Sequence, residues 1–343
     1  MTRSKILYFA LSVSFLIFLT ACGSSSDDVS AEGGSNQNDD EIKITLAHIA
    51  PDQHSYTLGI NEFIEAVEEE TDGRVTFEVF GNGQIGGERE VVEQVSSGSI
   101  DMTMATSSPT AGFSENLAVL ELPFLFENLE HVYATLDGEI GKEILEELAE
   151  ANLKAFSFWE RGFNHFGNNE REVTHVNDME GLQVRSAEND VSVETYRALG
   201  ADPTPIAWPE VYTSLQQGVV SGLDNGIGVL ETTGVHEALD YLSLTEFFYT
   251  SAVLMMNQDT FNSLPADIQE VFERLGKEYA HRQREINQEL EQKQLASMEE
   301  HGIIVTANSE IDTDSFRNRM SGVYDQFEDR FGNYVERIRN VEY

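Results

Sequence analysis

Few residues in this chain are grouped in the way that reactive chemistry requires. His236-Glu237-Ala238-Leu239 would open the H-E-x-x-H zinc pattern, but Asp240 stands where the second histidine is needed. Gly141-Lys142 continues with Glu143 rather than the hydroxyl residue that a phosphate loop places on magnesium. There is no G-x-S-x-G elbow to present a nucleophilic serine, and the eight histidines lack metal-ligand spacing. Catalytic residues, a metal site and a cofactor are therefore not expected. One motif does match a template. Gly81-Asn82-Gly83-Gln84-Ile85-Gly86 lies between a predicted strand and a predicted helix, with Asp101 about 20 residues on, which is the layout of a dinucleotide fingerprint. It opens the second strand-to-helix turn rather than the first, in a chain that carries an export signal, so it reads as a backbone turn.

The export signal is the N-terminus. Arg3 and Lys5 precede an apolar run, Ile6 to Leu19, that ends in Leu19-Thr20-Ala21-Cys22. The run is shorter than the roughly 18 residues of a spanning helix and contains two serines, so residues 1–21 read as a signal peptide. Cys22, the only cysteine, sits at the predicted cleavage point in a sequence that resembles a bacterial lipobox, and lipidation there would tie the protein to the bilayer. Without a second cysteine no intramolecular disulfide forms. The residues after Cys22, up to 41, are nearly free of apolar side chains and cannot offset the entropy of ordering, so 22–41 form a flexible tether.

The chain has 61 acidic side chains against 21 basic ones, a formal net charge of −40. Nucleic acid is excluded as a partner, because phosphate contact needs clustered Lys and Arg. Such acidity suits solubility in a salty or alkaline medium, where screening weakens self-repulsion.

The elements that follow point to an α/β protein. Strand Ile42–Ala47, helix 55–70, strand Val75–Phe80, helix 88–97 and strand Ile100–Ala105 argue for a parallel lobe, with Thr106 at the carboxyl end where such sheets place ligands. Residues 132–152 read as one helix, 153–159 and 182–185 as strands, 192–199 and 210–217 as short helices, and 252–257 as a strand. From Pro265 to Glu300 the periodic Ile268, Val271, Phe272, Leu275 and Tyr279 predict one helix of about 54 Å, longer than a single lobe, with Gly276 a place for a bend. About 300 residues exceed one ordinary core, so two lobes are expected. Their division is placed at 42–162 plus 251–290 and 163–250 plus 291–343.

Three stretches carry a family resemblance: 178–185 (DMEGLQVR), 199–212 (LGADPTPIAWPEVY) and 215–225 (LQQGVVSGLDN), supported by Gly83-Gln84-Ile85-Gly86 and Leu122-Pro123-Phe124. Together they resemble the solute-binding subunits of tripartite ATP-independent periplasmic (TRAP) transporters. The resemblance implies a two-lobed periplasmic-binding-protein-like fold with hinge strands and a lobe-spanning helix. It further implies a receptor that closes on a small organic carboxylate, a sugar acid or C4-dicarboxylate, and hands it to sodium-driven membrane permease subunits. It assigns the carboxylate to Arg185, whose planar fork donates two parallel hydrogen bonds. Asn225 becomes a hydrogen-bond donor to the same solute and Trp208 an aromatic packing on it. Many relatives carry a second arginine where Asn164 stands here; either Arg161, three residues earlier, compensates, or the solute has one strongly held carboxylate and a polar remainder. Thr106 replaces an acid found in some relatives, which argues against a solute with an amine. His48 or His54, near the end of the first strand, is a further candidate contact. Two other classes compete: a lipid-anchored surface hydrolase with a carboxylate pair, and a ligand-sensing subunit of a sensor kinase. Convergence of Arg185 and Asn225 in one cleft separates a receptor from the hydrolase. For the anchor, replacing Cys22 by Ser is expected to move the protein from the membrane fraction to the soluble fraction. Persistence of the variant in washed membranes would contradict acylation at that residue.

Overall fold

The computed structural model describes residues 41–343; the expected signal peptide, Cys22 and all but the last residue of the tether lie outside them. Strands β1 (Ile42–Ala47), β2 (Val75–Phe80) and β3 (Met102–Thr106) are parallel and are linked through helices α1 (Ser55–Glu70) and α2 (Glu88–Ser97). Then come β4 (Leu153–Phe163), β5 (His165–Asn168), β6 (Gln183–Ser186), β7 (Asp202–Pro205), β8 (Gly222–Asn225), β9 (Tyr241–Ser243), β10 (Tyr249–Asn257) and β11 (Ile304–Thr306). They form two sheets, ordered β2-β1-β3-β10-β4 and β11-β9-β5-β8-β6-β7. The chain passes from the first sheet to the second between Phe163 and His165, and returns between Ser243 and Tyr249.

β10 enters the first sheet antiparallel to both β3 and β4. Every one of its nine residues is buried, so it shows no alternation, as expected of a central strand covered on both faces. β4 is longer than its apolar run predicts, continuing through Arg161 to Phe163 because its pairing with β10 extends to Tyr249. The expected helix over 132–152 is instead three pieces, Leu129–Leu136, Glu139–Glu147 and a 3-10 turn Leu148–Ala151. The break falls at Gly138, which caps the second piece with an extended backbone and leaves no room for a β-carbon against the Ala134 carbonyl.

The spine helix, Ala266–Glu300, has 35 residues and is continuous through Gly276. That glycine is a contact rather than a bend: a β-carbon there would lie 2.8 Å from Phe156 Cβ. The helix covers the edge of β4 with side chains. Gln283 accepts from the Glu160 amide at 2.8 Å and donates to the Glu160 carbonyl at 2.8 Å, so one side-chain amide continues the ladder as a neighbouring strand would. Arg284 donates to the Phe158 carbonyl and pairs with Asp137. Asn287 donates to Glu160 and accepts from Ser55 on α1. The C-terminal helix, Thr313–Phe331, also serves both halves of the molecule. Its Phe316 and Met320 join the core of the second sheet, while Val323, Phe327 and Phe331 join the core that contains Val253 and Met255 of β10. A boundary that gives all of 291–343 to one lobe does not describe this segment.

α1 and the spine helix meet at Gly59, where a β-carbon would lie 2.8 Å from the Trp159 ring and 3.0 Å from Gln283. Gly59→Val therefore overpacks the joint and is expected to lower the unfolding free energy by about 1–3 kcal/mol. Denaturant titration checks it; an unchanged midpoint would mean that the two helices separate freely.

Candidate functional site

Parallel strands β6 and β8 lie side by side with Arg185 opposite Leu223, so Arg185 and the pair Asp224-Asn225 emerge together at the carboxyl end of the second sheet. The carboxyl end of β3 brings Thr106 from the first sheet, and the carboxyl end of β4 brings Arg161. These residues, with Asn164 and Trp208, line one cavity of about 430 Å³ between the two sheets. Of the expected contacts, His48 is not among its lining residues. Its ring is buried beneath Gly81, about 3.2 Å from where a β-carbon there would sit, because β1 ends under the loop that follows β2. His54 does not line it either; its Nδ1 accepts the Tyr56 amide at 3.1 Å and so caps α1. Burial holds both imidazoles neutral, His48 lowered to about 4 and His54 to about 3, the latter helped by the positive charge of Arg161.

Arg185 is buried, and its Nε donates to the Ile206 carbonyl at 3.0 Å. That bond fixes the loop after β7 and sets Trp208 with its ring 5.5 Å from the guanidinium carbon. Among the described residues neither terminal nitrogen of Arg185 has a hydrogen-bond acceptor. Burial pulls its pKa below the ordinary value and the neighbouring Asp224 opposes this. Arg161 faces the same cavity with Nη1 3.4 Å from Asn225 Oδ1 and Nη2 3.8 Å from Glu88 Oε1, while its Nε is buried without a partner among the described residues. Asn225 Oδ1 also accepts the Gly226 amide, which aims the amide group and leaves Nδ2 with no protein acceptor among the described residues.

Asn164 does not stand free. It donates to Asp224 Oδ2 at 2.5 Å and accepts from Thr250, joining the crossing after β4 to the start of β10. Tyr196 donates to the other Asp224 oxygen at 2.5 Å. Thr106 donates its amide and hydroxyl to Glu88, at 3.0 and 2.7 Å. The acid missing at position 106 is thus supplied from the first turn of α2, and the argument against an amine that rested on its absence falls. Glu88, Asp224 and Glu121 also line the cavity, although no motif in the sequence marks them. The glycine motif gets its explanation here as well. Gly83 and Gly86 adopt φ of +67° and +129° to turn β2 into α2, and both line the cavity. The helix N-terminus that would hold a phosphate is filled by its own carboxylates, with Glu90 accepting from the Gly87 amide at 3.0 Å. Asp101 is spent on Thr45, accepting from both its amide and its hydroxyl.

A two-sheet α/β protein with a polar cavity between the sheets, a buried guanidinium with open donors and an aromatic beside it has the build of a solute-binding receptor. Residues 46–330 match the family described as "Bacterial extracellular solute-binding protein, family 7". A solute-binding protein of Verminephrobacter eiseniae is 35% identical over 86% of this chain and 88% of its own length. A TRAP periplasmic solute-binding protein from a Polaromonas species, solved with D-erythronate, superposes with a TM-score of 0.86 at 30% identity, covering 88% of this chain and 100% of that one. One from a Sulfitobacter species with β-D-galacturonate gives 0.84 at 28% identity, covering 87% and 99%. The chain belongs to the family 7 extracellular solute-binding proteins and is an extracytoplasmic receptor of the TRAP type, working with a membrane permease.

Proposed function

We infer that the cavity captures a polyhydroxylated monocarboxylate, a sugar acid, and that Arg185 holds its carboxylate. The observation that carries this reading is the pairing of opposite chemistries across one buried space. At one side is a guanidinium whose two terminal nitrogens have no acceptor among the described residues, and the same space is lined by Glu88 and Asp224, which accept hydrogen bonds. A carboxylate suits the first and hydroxyl groups suit the second. A second strongly held carboxylate fits less well, because Arg161 already faces Glu88 and Asn225. Asn225 donates from Nδ2, and Trp208 lays its face along the carbon chain. Solutes of this class occupy the Polaromonas and Sulfitobacter relatives. Asn164 and Thr106 act through the carboxylates they orient. The solute touches residues from both sheets, so its binding favours the arrangement in which the sheets close on it. Cys22 carries the lipid that keeps the receptor near its permease.

Removing one partner of a buried charge pair costs about 3–5 kcal/mol, and each 1.4 kcal/mol is about tenfold in affinity. Arg185→Ala is therefore expected to weaken sugar-acid binding at least about a hundredfold, and Arg185→Lys to bind poorly because one ammonium cannot replace the fork. Calorimetry with D-erythronate, D-galacturonate and D-glucuronate checks both. Binding within threefold of the parent in both variants would place the carboxylate on Arg161 instead.

A further inference from the structure

The cavity that receives an anion is itself rich in acid. Its lining includes three arginines, Arg89, Arg161 and Arg185, but six carboxylic side chains. Adding a carboxylate solute raises the negative charge in a space that water leaves as the sheets close, and a nearby like charge disfavours the ionised form of any acid already there. One of those acids has to give way, or affinity is lost.

The hydrogen bonds indicate which. Glu88 accepts from the Thr106 amide and hydroxyl and has Arg161 beside it. Asp224 accepts from Asn164 and Tyr196, one donor on each oxygen. Donors of this kind stabilise the charged form. Glu121 is held differently. It closes the 3-10 turn Asn116–Glu121, is buried, and receives one hydrogen bond, from the Ser107 hydroxyl to Oε1 at 2.7 Å. The same hydroxyl lies 3.2 Å from the Ser251 carbonyl, which competes for its proton. Among the described residues no protein group donates to Oε2. The charges that act on Glu121 include Asp224 from β8 and Glu88 from α2, both negative, and Arg161 from β4, which is positive.

We propose that capture of the solute is coupled to uptake of a proton at Glu121, so that the cavity takes its anion while this side chain is in the acid form. The proton comes from solvent and adds to the carboxylate; no other bond changes. The proposal rests on the reading of the cavity as a carboxylate site. Burial already pushes the Glu121 carboxyl up to about 7 before any solute is present, with Ser107 and Arg161 opposing and Asp224 and Glu88 reinforcing it. A bound anion raises it further. Affinity is then highest and level below about pH 7, and falls by about tenfold per pH unit above it until the bound form also ionises. Protonated Glu121 also offers a donor where a carboxylate would only accept.

The test is calorimetric titration of the parent protein at pH 7.5 in phosphate and in Tris, whose ionisation enthalpies differ widely. The ligand is whichever of D-erythronate, D-galacturonate and D-glucuronate binds. The expected result is a heat that differs between buffers in proportion to uptake of about 0.5–1 proton, with the difference abolished in Glu121→Gln. Equal heats in both buffers for a solute that does bind overturn the coupling and leave the solute reading intact. Undiminished uptake in Glu121→Gln overturns the assignment to this residue. Should that variant not fold, the parent's dissociation constant between pH 6 and 8.5 decides: a level profile overturns the proposal, and weakening confined to the range above pH 7 supports it. If none of the three acids binds, the solute reading and the coupling fall together.

Discussion

The structure depends on keeping one guanidinium out of water with its terminal donors open. A buried cation is costly unless it is paired, and Arg185 is only partly paired: it gives Nε to the Ile206 carbonyl, lies against Trp208 and feels the charge of Asp224. What surrounds it follows from that constraint. The loop after β7 is tied to Arg185 through Ile206, Asp224 is held in place by Asn164 and Tyr196, and Asn164 is tied to Thr250. In a chain with a net charge of −40, a desolvated positive centre suits the small anion proposed for this cavity.

The frame that carries this centre is set by the edge of β4. An uncovered edge strand invites other chains, and here the spine helix covers it with Gln283, Arg284 and Asn287, which bond the Phe158 and Glu160 backbone and the Glu160 carboxylate. Arg161 is the next residue along. The helix that runs beside both sheets therefore grips the strand one residue before it delivers a guanidinium to the cavity and three before it crosses to the second sheet. The C-terminal helix ties the two halves as well, since its aromatic residues enter both cores.

Much of this was legible in the chain. The three parallel strands, the long helix and the positions of Arg185, Asn225 and Trp208 followed from periodicity and from stretches that resemble a known family. The carboxylates were not. With 61 acids no spacing singles one out, although Asp224 precedes Asn225 on a predicted strand and Glu88 opens the helix after the glycine turn, so both were next to residues already chosen. Thr106 was read as a lost acid because a sequence shows what stands at a position and not what reaches it from another element. The family resemblance made His48 a candidate because it follows the first strand, but the loop through Gly81 closes over it. The C-terminal helix is signalled by Phe316, Met320, Val323, Phe327 and Phe331, which recur at helical spacing, but nothing in that pattern shows that they enter two different cores.

A crystal structure of the protein with a bound sugar acid tests the central claim most directly. The account predicts the solute carboxylate bridging both terminal nitrogens of Arg185 at about 2.7–2.9 Å, with Trp208 along the carbon chain and the hydroxyls directed at Glu88 and Asp224. A solute whose carboxylate rests on Arg161 while the terminal nitrogens of Arg185 remain without a partner would contradict it.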